Sequence, residues 1–429
     1  MRPRHENCNR SEHRLSRRRM VQGIAGAATV AGVGGLPEPV VAEALRKRAK
    51  QVLFIWLDGG ISQLESWDPK PNTRFGGPFR TIPTSVKGVR FCELMPRTAQ
   101  LMHHLTIVRS MSTQDNAHSS GVGRIQRGDP INRGVVYPYF GSAVAKLMGP
   151  IEKNMPPYVW IKPGSGGFKI GDGGFLGPKY GALAFGDGKA PDNLLLNDGL
   201  TPEEDEIRNE LRAKLNSRFG KRRRERNVDA HSYVFDLAQK IMEREDLFDE
   251  STFTQNDLDR YGTHDLGRHM LVGRRMLEAG IRFVKVNSYG WDTHGDNFNG
   301  QASLVGKFDQ AFSAIIDDLD MRGMLDDVLV IAMSEFGRTP RINGHIGRDH
   351  WPEAWSIAMA GAGLQHGKIV GETDADGVFV KSDPYDIGSM FHTWFYALGI
   401  DSLSAEYHNG TQPLPIAHDE MDPIYEALA

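Results

Sequence analysis

Residues 328–351, VLVIAMSEFGRTPRINGHIGRDHW, open with six apolar residues, Val328–Met333, and turn polar at Ser334 and Glu335. An apolar, β-branched run of that length predicts one strand buried on both faces. Open α/β sheets place their ligands beyond the carboxyl ends of strands, so chemistry is expected at this switch. Gly337, Arg338, His345, Asp349 and His350 follow in a Gly-containing loop, and Trp355–Ala362 is the next apolar stretch. Acids and imidazoles between two strands suit a metal. The same residues also suit a polar loop whose His and Asp only hydrogen-bond one another.

Two further runs share this pattern. Gln51–Leu57, QVLFIWL, ends in Asp58-Gly59-Gly60, a strand closing on an acid and a tight glycine turn. Ile281–Asn287 largely alternates apolar and polar residues and runs into Tyr289-Gly290-Trp291-Asp292-Thr293-His294. Between it and Val328, Leu304–Met321 predicts an amphipathic helix with Phe308, Phe312, Ile315, Ile316 and Leu319 on one side. If the two strands pair in parallel, the unit is a right-handed crossover. Leu101–Val108 reads as a strand or as a helix end leading to one, and His118–Gly128 as a helix start. Residues 201–279 read as helical, from Thr201-Pro202-Glu203-Glu204 to a stop at Gly280. The charge run Lys221–Arg226 falls inside that region and reads as a solvated helix face. A last helix carries Phe391, Trp394, Phe395 and Leu398. Residues 131–200 are dense in Gly and Pro, with ten Gly between Gly164 and Gly188, and read as an insertion over the site. No G-x-x-x-x-G-K-[ST] supports phosphate cradling there, and no G-x-G-x-x-G after a strand supports a dinucleotide.

The chain has 429 residues, 40% hydrophobic and 24% charged, in the range of globular proteins. Its amino terminus is distinct. Residues 1–19 hold seven Arg, ending in Arg17-Arg18-Arg19, before the weakly apolar Val21–Gly35 and small residues near Ala42–Ala44. A basic region, a short apolar region and small residues form an export signal over 1–44, and the paired arginines make it the twin-arginine type. The expected partner is the twin-arginine export machinery, and the destination periplasmic or extracellular. Loss of 1–44 removes seven Arg and four Glu and takes the formal charge from −3 to −6, which argues against nucleic acid. Cys8 leaves with the leader, and the remaining Cys92 reads as an inert core residue. No stable membrane span is expected, so residues 45–429 are expected to form one α/β domain.

The three strands end near Asp58, Asp292 and Glu335, and parallel strands bring such ends to one edge. His294 follows Asp292 by two, and Asp349 and His350 lie beyond Glu335. Carboxylate oxygen with imidazole nitrogen is the ligand set of zinc, manganese or iron.

LDGG at 57–60, GWDTHGDNF at 290–298, SEFGRTP at 334–340 and GRDHWPEAW at 347–355, behind a twin-arginine leader, resemble domain-of-unknown-function family 1501. That family belongs to the alkaline phosphatase–sulfatase superfamily, and the resemblance covers the whole mature chain. It implies an alkaline phosphatase-like α/β fold, a doubly wound and mostly parallel sheet sandwiched by helices, with metal at the carboxyl edge. By motif position, Asp58 matches the superfamily's first metal-binding acid. Asp292 and His294 resemble an Asp/His pair for one metal, which His350 completes. In relatives the third strand ends in Asp-His, whereas here it ends in Glu335-Phe336. The second site then needs Asp349 or His345. The superfamily's nucleophile position falls on His118, with Ser119 adjacent and Ser112 and Thr113 just upstream, and His118 is open as nucleophile, base or ligand.

The function expected is an exported metal-dependent hydrolase of phosphate or sulfate esters, acting on a small anionic ester or a sulfated or phosphorylated glycan. The metal set is Asp58, Asp292, His294, Glu335, Asp349 and His350. The cofactor is a divalent metal, zinc first, with manganese, iron or calcium open. His118, Ser119 and Arg338 are the catalytic candidates, with Arg338, Arg348 or Arg124 clamping the anion. The alternative is a binding protein, for example for sulfated glycans, that keeps the metal and has lost turnover.

Overall fold

The computed structural model describes residues 50–429, apart from 132, 165–166, 191–198, 221–231, 234, 238–239, 242 and 409–411. The expected leader over 1–44, Cys8 and the run Lys221–Arg226 lie outside the described residues.

In chain order the strands are β1 Gln51–Leu57, β2 Thr81–Pro83, β3 Arg90–Cys92, β4 Leu105–Met111, β5 Tyr158–Lys162, β6 Gly167–Lys169, β7 Ala182–Gly186 and β8 Phe283–Ser288. They continue as β9 Val328–Met333, β10 Gly337–Ile342, β11 Arg348–Trp351, β12 Trp355–Gly361, β13 Lys368–Val370, β14 Glu406–His408 and β15 Pro413–Pro415. Nine of them form one sheet in the order β13-β4-β12-β9-β1-β8-β5-β7-β6. Pairing along it is parallel except around β12 and at β6. β1 lies at the centre, with Ile55 opposite Val286 of β8 on one side and Ala332 of β9 on the other. β8 and β9 therefore do not pair with each other; the helix Asn297–Met321 carries the chain past β1.

Successive residues of a strand face opposite sides of a sheet, and both sides here are dry. Leu53, Ile55 and Leu57 pack in one core with the helices Asp265–Glu278 and Asn297–Met321. Val52, Phe54 and Trp56 pack in the other with Phe140–Met148 and Ile387–Ala397. The sheet is doubly wound for that reason, and β1 and β9 are buried at every position. Each such aliphatic side chain contributes roughly 1.5–3 kcal/mol over an exposed one. Cys92 is fully buried, and burial pushes its thiol up to about 12, as an inert core thiol requires. No helix among the described residues is long and apolar enough to cross a membrane.

Two expectations change. Residues 131–200 are not an insertion laid over the site: β5, β6 and β7 extend the central sheet beyond β8. β5 pairs in parallel with β8, Tyr158 opposite Phe283, and its Tyr158, Val159 and Ile161 are buried. Three- and five-residue strands between Gly-rich turns are too short to show a period. One of those turns requires its glycine: at Gly174, φ +50, a Cβ would stand 2.4 Å from Val136 O. Likewise the polar stretch after β9 is a hairpin, not an open loop. β10 and β11 pair antiparallel with Arg338 opposite His350, and Asn343 closes the turn by accepting from His345 N and Gly347 N.

Candidate metal centre

The edge of the sheet beyond Leu57, Ser288 and Met333 gathers the acids as their strand-end positions predict. Gly59, φ +115, sits so close that a Cβ there would lie 2.6 Å from Asp292 N. That approach lets Gly59 N donate to Glu335 at 3.0 Å (Oε1) and 3.2 Å (Oε2). A helix, His118–Arg127, brings His118 to the same edge as its first residue.

Among the described residues, His118, Asp292 and His350 form a group whose ligand atoms all lie within 4.8 Å of one another. His350 Nε2 is 2.9 Å from Asp292 Oδ1, and His118 Nε2 is 3.3 Å from Asp292 Oδ2. His294 borders the group, its Nε2 2.9 Å from His350 Nε2 and 3.1 Å from Asp292 Oδ1. The other nitrogen of each ring is tied down. His118 Nδ1 donates to Glu335 Oε1 at 2.7 Å, His294 Nδ1 to Asp349 Oδ1 at 2.7 Å, and His350 Nδ1 to Asn116 O at 2.6 Å. With Nδ1 donating, a neutral ring presents a bare lone pair at Nε2. Three such lone pairs and a carboxylate then face one another, an arrangement that a cation among them would satisfy. Imidazole nitrogen with carboxylate oxygen, each imidazole braced from behind, is the donor set of zinc and its neighbours. The residues present fit a divalent metal.

Burial opposes charge on Asp292, but the hydrogen bond and the charge of Arg338 outweigh it and hold its carboxyl well below the usual carboxylate range. Burial pulls His350 down, which favours the neutral ring. His118, Asp292 and His294 are 40%, 43% and 45% exposed, so the cluster opens to solvent, while Glu335 behind it is 0% exposed. Phe336 stacks on His350 with ring centroids 4.1 Å apart and lies 5.1 Å from the ring of His118. Its apolar ring floors the cluster where relatives are expected to carry an imidazole.

The expected set of six metal residues therefore divides. Asp292, His294 and His350 converge with His118. Glu335 and Asp349 do not join them: each carboxylate is engaged by an Nδ1, and Asp349 also by Asn343 Nδ2 at 3.0 Å. Asp58 stands beside the group, its carboxyl pushed up by burial while Lys285 and His118 pull it down. No second metal grouping occurs among the described residues. His345 is exposed on the hairpin turn.

Arg338 is a clear correction. Its side chain is 0% exposed, with Nε donating to Gly60 O at 3.0 Å, Nη1 to Arg348 O at 3.0 Å, and Nη2 to Gly59 O and Asp292 Oδ1. It braces Asp292 and has no surface left for a substrate anion. Arg348 is equally buried, paired with Glu65 (Nη2 to Oε1, 2.7 Å), and Arg124 is engaged by Thr113 O, Asp129 and Asp386. Ser119 is exposed, and its hydroxyl makes no hydrogen bond to the four converging residues. Asp115 accepts from Ala117 N and Ser120 Oγ.

Sequence reasoning missed Asn116, Asn343, Glu65 and Lys285. Asn116 acts through its backbone, which no side-chain motif reveals. Lys285 sat in an alternating strand, yet it is 1% exposed, its Nζ on Gln126 Oε1 at 2.8 Å and over the Trp160 ring at 3.9 Å. A central strand covered on both faces buries its polar positions too.

No curated protein matches the chain. Solved structures similar to it include the PsFucS1 sulfatase from Pseudoalteromonas sp., at 12% identity over 85% of this chain and 72% of that one, TM-score 0.38. The alkaline phosphatase from the Antarctic bacterium TAB5 is 12% identical over 81% and 97%, TM-score 0.35. The lipoteichoic acid synthase LtaP from Listeria monocytogenes is 8% identical over 89% and 80%, TM-score 0.35. At such identities and scores none of them bears on this chain's chemistry. The family described as "Protein of unknown function (DUF1501)" matches residues 49–428, nearly the whole chain, and the chain belongs to that family.

Proposed function

We propose that the chain is an exported hydrolase of phosphate or sulfate esters that works with one divalent metal held by His118, Asp292, His294 and His350. The observation that carries this reading is the meeting of three imidazole Nε2 atoms and one carboxylate, each imidazole braced at Nδ1. A metal there would polarise a phosphoryl or sulfuryl oxygen and acidify water toward a pKa of ~7. Glu335, Asp349 and Asn116 O hold the rings in the ligating tautomer, and Arg338 keeps Asp292 ionised. Asp58, desolvated beside the cluster, is the group placed to take a proton from attacking water. The amino-terminal end of the helix starting at His118 favours an anion at the same edge. His118 is then a ligand rather than base or nucleophile, and hydrolysis proceeds without a covalent enzyme intermediate.

A second reading, a metal-containing binding protein for sulfated or phosphorylated glycans, is favoured by one observation. Arg124, Arg338 and Arg348 are all committed within the protein, and among the described residues no Ser or Thr hydroxyl hydrogen-bonds to the four converging residues. Reconstitution with zinc, manganese, iron or calcium, elemental analysis, and turnover of aryl phosphate and aryl sulfate separate the two. Under the hydrolase reading one equivalent of metal binds and turnover appears. His118→Ala then loses both, while Ser112→Ala, Thr113→Ala and Ser119→Ala retain them. A phosphorylated or sulfated Ser or Thr trapped by mass spectrometry overturns the single-step route. Metal without turnover leaves the binding protein.

A further inference from the structure

Beside the cluster, at the carboxyl ends of β5 and β8, lies a cavity of about 410 Å³ that the proposed reaction does not use. Its wall includes His264, His269, Ser288, Tyr289 and Lys307. What distinguishes it is a surplus of donors. His269 is 1% exposed and neither ring nitrogen has a partner at normal hydrogen-bond distance and angle, although the Asp187 backbone lies within reach of the ring; the neutral ring carries one N–H to give. His264 accepts Gly267 N at Nδ1, 3.1 Å, which places the proton of its neutral ring on Nε2, a buried donor with no acceptor. Ser288 Oγ accepts from Trp291 Nε1 at 3.0 Å and keeps its own proton to give.

Two sources of positive potential add to these donors. Lys307 is exposed and makes no ion pair among the described residues. The fourteen-residue helix Asp265–Glu278 begins at the cavity wall, with its amino-terminal end there, where His264 caps Gly267 N. Of the acids close to it, Asp265 on the wall is 77% exposed and paired with Arg268 at 2.9 Å, and Asp187, whose charge reaches His269, accepts from Gly164 N at 2.9 Å. Unpaired buried donors are costly, and this many around one cavity ask for an acceptor-rich ligand.

We propose that this cavity is a second oxyanion site, taking a sulfate, phosphate or carboxylate group. Ser288 ends β8 and Tyr289 follows it, and Asp292 comes four residues after Ser288. Tyr289 also lies near enough to Asp58 to feel its charge. A substrate whose ester reaches the cluster could therefore seat a second acidic group here, and this link to substrate rests on the hydrolase reading. The anion site itself does not, since no metal residue lines it.

The test uses the full chain, metal-loaded and metal-stripped, titrated with sodium sulfate and sodium phosphate by calorimetry. Parallel spectra of ring-¹⁵N histidine report His264 and His269 directly. The expected result is saturable binding that survives metal stripping, with both signals shifting. Lys307→Met, on the surface and safe for folding, weakens it about tenfold, as loss of one charge-assisted bond does, and His269→Gln does so at least as strongly. No binding to stripped protein, or variants within twofold of wild type, overturns the proposal. Anion binding by a protein that takes up no metal on reconstitution and shows no turnover sinks the hydrolase reading and leaves this one standing. A disulfated disaccharide that binds more tightly than its monosulfated form, in wild type but not in Lys307→Met, identifies the second acidic group of a substrate as the occupant. Equal affinity identifies a free anion and removes the substrate link.

Discussion

Replacing Arg348 by Met distinguishes an anion clamp from an internal brace. Arg348 and Glu65 are both 0% exposed, joined by Nη2 to Oε1 at 2.7 Å and Nε to Oε2 at 3.1 Å. The same guanidinium donates to Thr339 O at 3.0 Å, Phe75 O at 2.9 Å and Pro340 O, pinning the β10–β11 hairpin to the loop after β1. Methionine fills a similar volume but leaves the Glu65 carboxylate buried without a counter-charge. Breaking such a pair from one side costs about 3–5 kcal/mol. Over about 380 folded residues the unfolding entropy is roughly 0.8 kcal/mol/K, so the midpoint should fall by roughly 4–6 °C. Thermal and urea denaturation followed by tryptophan fluorescence measure this. Glu65→Gln added to Arg348→Met removes the stranded charge and should recover more than half of the loss, a coupling that a double-mutant cycle reads directly. A single variant that loses under about 1 kcal/mol, or a double variant no better than the single, refutes the reasoning. So does a raised KM on aryl sulfate with stability intact, which would restore Arg348 to the substrate.

Glu335→Gln and Asp349→Asn should each weaken metal binding by roughly 10–100-fold through the rings they brace, with the fold retained; competition with a chelator of known affinity checks this, and unchanged affinity makes them bystanders. His392 is buried, with Nε2 donating to His418 O at 2.8 Å and Nδ1 2.7 Å from Ser402 Oγ, and burial lowers its pKa below the ordinary 6.5. The unfolded chain then takes up a proton that the folded chain refuses, so stability is full above about pH 6.5 and falls as pH drops toward the folded pKa, by at most about 1.4 kcal/mol per pH unit for this group. Urea midpoints at pH 7.5 and 5.5 should show the fall and His392→Gln should reduce it; a flat profile in wild type removes the assignment. Arg17→Lys with Arg18→Lys should keep the chain in the cytoplasm with 1–44 uncleaved, and normal export of that variant excludes the twin-arginine route.

The sheet's centre was legible because it is written in local pattern. β1 and β9 each carry a continuous apolar run of six residues, ending where polarity changes, and their bounds match the structure residue for residue. The convergence of Asp58, Asp292 and Glu335 followed from parallel strands alone, and His294 and His350 came with them. What composition hid was the far third of the sheet: β5 to β7 lie among glycines and are too short for a period to show. Side-chain roles at the edge were also hidden, for a different reason. Whether a carboxylate joins the cluster or meets the back of an imidazole depends on small shifts of the backbone, which Gly59's close approach and the hairpin register decide. Likewise, sequence gives Arg338 a charge but not an address. Only the cross-strand pairing with His350 and the carbonyls of Gly59 and Gly60 turn that guanidinium inward, because a buried cation takes the acceptors that the backbone around it leaves open.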